Sequence, residues 1–213
     1  MKKKVLIAVN ALKEKYPDAI CSLNAKNPFE LLVATRLSAQ CTDARVNIIT
    51  PALFDALPDA VSFKNAPIEQ IEELIKSCGL YKTKAKDLKE MAIMLVNEYD
   101  SQIPDSVEEL TKLPGIGRKT ANLIVGDVYN KPAVVTDTHF IRICNRLGFV
   151  DTDIPIKVEK AMRELLPPQE SNDFCHRTVL FGRDVCIARS PKCDICELKE
   201  ICKFNKSKKK KTK

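Results

Sequence analysis

Between positions 113 and 122 the chain runs LPGIGRKTAN, a helix stop, a turn and a helix start within ten residues. Just upstream, Ser106-Val-Glu-Glu109 has the pattern of a capping box and opens a short helix. Pro114 ends that helix, and Gly115 and Gly117 supply the positive φ that a tight turn between helices demands. A second helix then begins at Arg118. The free N–H groups of its first turn face outward at the positive end of a helix, a ready site for a phosphate oxygen. Two residues without side chains also let a nucleic-acid backbone come close. The plainer reading of the same residues is an ordinary connection between helices with a glycine stop.

Lys119 falls in the first turn of the second helix, where a cation opposes the helix dipole. Most lysines so placed are solvated surface charges. Yet the positive helix end, with Arg118 and Lys112 beside it, favours the uncharged amine, whose lone pair can attack carbon. Eighteen residues after Lys119 comes Asp137, within Val135-Thr-Asp-Thr-His-Phe140 and ahead of an apolar stripe at Ile141, Cys144 and Leu147. Asp137 stands where an N-cap belongs, and a plain capping Asp is the commoner fate of such a residue. There its carboxylate is an electrostatic partner and not a proton donor. An activated amine and a fixed carboxylate are together what imine chemistry at a sugar carbon requires. His139 reads as a structural hydrogen-bonding residue of the same helix.

The rest of the chain is helix after helix. Val5, Leu6, Val9 and Leu12 keep helical spacing, and Asn27-Pro28 is a cap and first-turn pair. Ile68, Ile71, Leu74 and Ile75 form a stripe that stops at Gly79, and Leu88, Met91, Ala92 and Leu95 form another. Val158, Ala161, Met162 and Leu165 repeat the pattern before Pro167-Pro168. Only Ala133–Thr136 has strand-like composition, so the expected fold class is all-α. With 213 residues, 45% of them hydrophobic and 30% charged, the chain can bury a sizeable core and is neither disordered nor collagen-like. No apolar run approaches the ~20 residues of a membrane-spanning helix, and the N-terminus has no secretory cleavage pattern. A soluble, cytoplasmic, nucleoid-associated protein is expected, with no membrane partner.

Nine cysteines divide unevenly. Five are scattered singly (Cys21, Cys41, Cys78, Cys144, Cys175) and read as small core fillers. The other four, Cys186, Cys193, Cys196 and Cys202, are enough for one metal site. Structural zinc usually takes two close Cys-x-x-Cys pairs. Here a single close pair has wider arms on both sides, which suits a [4Fe–4S] cluster better. Arg189 and Lys192 lie in the loop between Cys186 and Cys193, where two cations can rest on a phosphate backbone.

The segment after Cys202 holds seven lysines and no acid, which equals the whole formal net charge of +7. It is either a phosphate-seeking arm or a solubilising end. If the remainder binds nucleic acid, it does so by local segregation of charge.

LPGIG followed by RKTAN looks like the helix–hairpin–helix motif, which holds DNA backbone without reading sequence. Together with VTDTHF, the C-x6-C-x2-C-x5-C cluster, LSAQCTD at 37–43 and GLYKTKA at 79–85, it resembles the endonuclease III family. The likeness covers nearly the whole chain up to about residue 204. It implies a two-domain helix–hairpin–helix glycosylase fold. A six-helix barrel would span residues 20–131, with the motif at 106–128. An iron–sulfur cluster domain would be built from 1–19 and 132–204, and 205–213 would be a disordered Lys-rich tail. DNA would lie in a cleft between the domains.

The resemblance also implies removal of oxidised pyrimidines and strand nicking at abasic sites by a monomeric enzyme, on double-stranded DNA. Lys119 would form the Schiff base, Asp137 would assist base departure, and the four cysteines would hold a [4Fe–4S] cluster. Gln40 and Leu80 fall where the family places residues that fill the emptied stack; a solvated helix end and a core-closing residue are the plainer readings. Leu113, Pro114, Gly115, Ile116, Gly117, Arg118, Arg189 and Lys192 would contact DNA. Cys41 departs from the small residue expected at its position. The adenine glycosylase branch fits less well, since it lacks a lysine at the position of Lys119 and carries a further C-terminal domain. A non-catalytic DNA-binding or electron-relay protein would need neither Lys119 nor Asp137.

Overall fold

A computed structural model describes residues 1–211. Among these residues the chain forms twelve α-helices and two short 3-10 helices, and no strand. In order the helices are α1 (Lys2–Lys15), α2 (Pro28–Leu37), α3 (Asp43–Ala56), α4 (Ala60–Asn65), α5 (Ile68–Leu74) and α6 (Tyr81–Glu98). There follow α7 (Val107–Leu110), α8 (Arg118–Asp127), α9 (Thr138–Leu147), α10 (Pro155–Leu165), α11 (Ser171–Asp184) and α12 (Lys203–Lys211). The all-α reading holds. No helix among the described residues is long and apolar enough to cross a membrane. The chain divides into two compact units, Cys21–Tyr129 on one side and Met1–Ile20 with Asn130–Lys213 on the other.

The unit from Cys21 to Tyr129 is organised around α2. Asn27 accepts a hydrogen bond from the Glu30 N–H at 2.9 Å, and Pro28 opens the first turn without losing a needed donor. Phe29, Leu31, Leu32, Val33, Ala34 and Leu37 are all buried, so this helix is enclosed on most sides, and it packs against α3, α6 and α8. Phe29 meets Phe63 of α4 edge-on, with ring centroids 5.4 Å apart. Lys84 on α6 is also fully buried, its ammonium donating to the Leu37 carbonyl at 2.8 Å. The stop expected at Gly79 is not where the helix ends. Helix α5 finishes at Leu74, and the left-handed residue is Leu80, at φ 60°, next to the glycine.

The second unit pairs the N-terminal helix with the C-terminal half. Val5, Ala8, Val9 and Leu12 of α1 are buried, and the helix lies on α11. Glu170 joins the two, accepting from Lys13 at 2.5 Å and from Arg177 at 2.9 Å. Phe140 of α9 meets Phe174 of α11 edge-on at 6.1 Å. Ala133–Thr136 are buried but form no strand: no other segment supplies a partner, and the Val135 N–H goes instead to the Cys175 sulfur at 3.2 Å.

The Lys-rich end departs from the tail without structure that its composition predicts. Helix α12 runs from Lys203 to Lys211; only residues 212 and 213 lie outside the described residues. Its first turn is tethered, with the Phe204 ring 4.8 Å from the Arg146 guanidinium. Lysine is a good helix former once such an anchor exists.

Candidate functional site

The hairpin between α7 and α8 is built from short-range rules with one long-range constraint. Ser106 caps α7 by accepting from the Glu109 N–H at 3.2 Å. The return half of the expected capping box is missing, because the Glu109 carboxylate takes the Tyr99 hydroxyl at 2.9 Å and the Lys112 ammonium at 2.6 Å. Lys112 is therefore a paired cation. Leu113 and Ile116 are buried, and the Ile116 N–H donates to the Leu113 carbonyl at 3.1 Å. These two side chains hold the turn from inside, which leaves only their backbone to face a ligand.

The two glycines do different jobs. Gly115 adopts φ +73°, and a Cβ there would fall 2.7 Å from Asp87 Oδ2 and onto the Arg36 side chain. Arg36 Nε donates to that same carboxylate at 2.9 Å. Gly117 does not take the positive φ expected of it. It is the extended N-cap of α8 at φ −91°, and a Cβ there would meet nothing within 4 Å. Having no side chain, it leaves α8 without a side-chain cap. Arg118 and Lys119 occupy the first turn and are exposed. Near Lys119 lies Cys21, whose thiol burial pushes up to about 11, with Asp127 and Asp43 adding to the rise and Lys119 opposing it.

Gln40 and Leu80 share an unusual backbone. Each is exposed and sits in the left-handed region, at φ 53° and 60°. Neither is a residue that visits this region freely, and such strain collects where a side chain must be aimed. The two turns lean on each other, since a Cβ on Gly79 would lie 3.4 Å from the Gln40 carbonyl oxygen.

In the other unit, Asp137 caps α9, its Oδ1 accepting from the Phe140 N–H at 2.7 Å. His139 is structural: Arg142 donates to its Nδ1 at 3.2 Å, and burial holds its imidazole below the ordinary range, with Asp137 pulling the other way. Around α9 and the C-terminal loop, Cys186, Cys193, Cys196 and Cys202 line one cavity together with Arg146 and Phe204. Arg146, which sequence reading passed over, holds the ligand loop in place. It donates to the Cys186 sulfur at 3.3 Å, the Ile187 carbonyl at 2.9 Å and the Ala188 carbonyl at 2.6 Å. Arg189 and Lys192 are exposed on that loop, Lys192 lying 3.5 Å from Asp184.

The four thiols fit a cluster. The four line one cavity, and four thiolates are the ligand set that a cubane [4Fe–4S] cluster takes. Burial pushes the Cys196 thiol up to about 11 and raises that of Cys202, so ligation must displace protons.

Comparison with known proteins agrees with this geometry. Residues 33–168 match the model of the HhH-GPD superfamily base excision DNA repair protein. Residues 186–202 match the iron–sulfur binding domain of endonuclease III. The chain is 44% identical over 192 residues to endonuclease III of Synechocystis sp., covering 90% of this chain and 88% of the relative. It is 39% identical over 210 residues to endonuclease III of Bacillus subtilis, covering 98% and 96%. A solved structure of a trapped endonuclease III–DNA covalent intermediate superposes with a TM-score of 0.92 at 40% identity, covering 98% of this chain and 99% of that one.

Proposed function

Since this chain belongs to the endonuclease III family, and is a base-excision-repair DNA glycosylase of the AP-lyase type with a [4Fe–4S] cofactor, we propose that Lys119 is its nucleophile and Asp137 its electrostatic partner. The observation that carries this reading is an exposed lysine in a helix first turn that no side chain caps, directly after a glycine turn. The Lys119 Nζ lone pair bonds to C1′ of the deoxyribose as the N-glycosidic bond breaks, and the base leaves with the bonding electrons and takes a proton. Ring opening gives the imine at C1′. Loss of a C2′ proton then expels the 3′ phosphate and nicks the strand. Asp137 offers its carboxylate to the positive charge that develops on the sugar.

The preferred substrates are oxidised pyrimidines and abasic sites in double-stranded DNA, reached by flipping the nucleotide out of the stack. The enzyme acts as a monomer on nucleoid DNA in the cytoplasm. Gln40 and Leu80 fill the vacated stack. Pro114, Gly115, Gly117 and Arg118, with the backbone of Leu113 and Ile116, hold the phosphates, and Arg189 and Lys192 add contacts from the other unit. The unit of Cys21–Tyr129 is the barrel domain, and the unit joining both chain ends is the cluster domain. Cys186, Cys193, Cys196 and Cys202 supply thiolate ligands, and the cluster shapes the cationic loop between the first two.

Borohydride trapping tests the assignment. A lysine nucleophile predicts a covalent protein–DNA adduct on a duplex with an abasic site; a similar solved structure is a trapped endonuclease III–DNA covalent intermediate. The adduct should vanish in Lys119→Gln while DNA affinity stays within about threefold, since one phosphate-facing charge is worth little of the total. Equal adduct in Lys119→Gln would place the nucleophile elsewhere, and none from the wild type would leave a DNA-binding protein without lyase chemistry.

A further inference from the structure

Two of the cysteines that the sequence scatters are neighbours in space. Cys41 Sγ lies 3.7 Å from Cys78 Sγ, although 37 positions separate them. Each stands beside one of the left-handed turns. Cys41 directly follows Gln40, and Cys78 precedes Gly79 and Leu80. The backbone fixes both turns, with the Cys41 N–H on the Ser38 carbonyl at 3.1 Å and the Cys78 N–H on the Ile75 carbonyl at 2.8 Å. The two sulfurs are thus close neighbours, held by the segments that aim Gln40 and Leu80.

We propose that Cys41 and Cys78 are an oxidation-sensitive dithiol, and that its closure into a disulfide ties the Gln40 turn to the Leu80 turn and weakens DNA engagement. The second half of this statement rests on the assignment of Gln40 and Leu80 as the residues that enter the emptied stack. The pair divides the labour. Cys41 is part-exposed and meets the oxidant, while Cys78 is buried and resolves. With a low-molecular-weight disulfide as oxidant, the Cys41 thiolate attacks one of its sulfurs and releases one thiolate. Cys78 then gives up its proton and attacks Cys41 Sγ, releasing the second. Two protein thiols are oxidised, and one small disulfide is reduced to two thiols.

The surroundings suit a resting dithiol that can still react. Burial pushes the Cys78 thiol up to about 11, and its contact with Cys41 adds to this, so it stays protonated until an oxidant has loaded Cys41. The buried Lys84 ammonium and Arg45 pull in the opposite direction and favour the thiolate when it forms. Drawing the sulfurs together shifts two turns whose residues already occupy a sparsely populated backbone region. There is little slack for Leu80 to keep its aim.

The test uses the cluster-loaded protein under anaerobic conditions with oxidised glutathione, the visible absorption of the cluster confirming that it survives. After alkylation and trypsin digestion, peptide 37–45 should appear joined to peptide 77–82, two hydrogens lighter than their sum. Oxidation should raise the Kd for a duplex carrying an abasic-site analogue about tenfold, and dithiothreitol should restore it. Cys41→Ser and Cys78→Ala should each bind alike with and without oxidant. Absence of the joined peptide, whether or not peptide 37–45 carries glutathione, overturns the proposal. So does a joined peptide with an unchanged Kd. A reduced Leu80→Ala arm separates the two possible failures. If that variant binds like the wild type, the assignment of Leu80 is at fault; if it binds weakly and oxidation of the wild type changes nothing, the dithiol is.

Discussion

Two helices of this protein begin beside residues assigned to chemistry, and they begin in opposite ways. At the start of α8 the N-cap is Gly117, which has no side chain to cap the helix, and the first two residues are Arg118 and Lys119. At the start of α9 the N-cap is Asp137, whose carboxylate is bonded to the Phe140 N–H at 2.7 Å. Both ends carry the same partial positive charge, worth about 0.3–1 kcal/mol to a nearby anion. In α9 the protein supplies that anion itself. In α8 it withholds one and adds cations, which leaves the donors for a phosphate and sets a lysine beside them. The difference is a single side chain at the N-cap: one helix end is closed by its own carboxylate, and the other, on the proposed reading, is left open for a phosphate.

The comparison breaks most visibly at Asp137, the α9 cap to which the proposed function also gives a chemical role. Asn caps a helix about as well as Asp, so Asp137→Asn should keep the hydrogen bond to Phe140 and leave Tm within a few degrees. What it removes is the charge. Single-turnover base release should slow by ~10²–10³, the usual loss when one group stabilising transition-state charge is removed. Asp137→Ala should lose as much activity and also about 1 kcal/mol of stability through the missing cap. Full activity in Asp137→Asn would reduce Asp137 to a cap and nothing more.

Within the α7–α8 turn, the sharper probe is Gly115. Its φ of +73° and its contact with the Arg36–Asp87 pair both exclude a side chain. Gly115→Ala should destabilise the protein by ~1–3 kcal/mol, read as a lower denaturant midpoint with an unchanged m-value. A midpoint equal to that of the wild type would mean that the turn relaxes freely and is not fixed from within.

Which parts of this arrangement could be read from the sequence follows from the range of the forces involved. The caps at Asn27, Ser106 and Asp137 are contacts over three residues, and the burial of α1 and α6 follows apolar spacing; all were legible. Glu109 was misread, because Tyr99, ten residues upstream, competes for its carboxylate. A glycine preference pointed to Gly79 and Gly117 for left-handed backbone. The chain places Leu80 there and leaves Gly117 extended, a choice that propensity disfavours and only the surrounding turns impose. Arg36 with Asp87, Lys84 with Leu37, and Cys41 with Cys78 join positions 37 to 51 residues apart. No local pattern signals such pairs. Motif order singles out Lys119, Asp137 and the four spaced cysteines as candidates for the chemistry, whereas Arg146 at the cluster loop carries no motif of its own.

The subtlest test exchanges the two helix ends. Gly117 has backbone angles that any residue adopts, φ −91° and ψ 169°, and open space where a Cβ would stand. Serine at that position can accept from the first turn of α8 as Asp137 does in α9. Gly117→Ser should therefore stabilise the protein by a few tenths of a kcal/mol, the usual difference between Ser and Gly as N-caps. It should also raise Kd for an abasic-site duplex by about tenfold, because the new hydroxyl fills the space and takes the donor meant for a phosphate. A gain in stability with a loss of affinity is the signature of a helix end kept open for function. If Gly117→Ser gained stability and bound DNA as tightly as the wild type, the missing cap would owe nothing to DNA, and the contrast between α8 and α9 would be one of sequence alone.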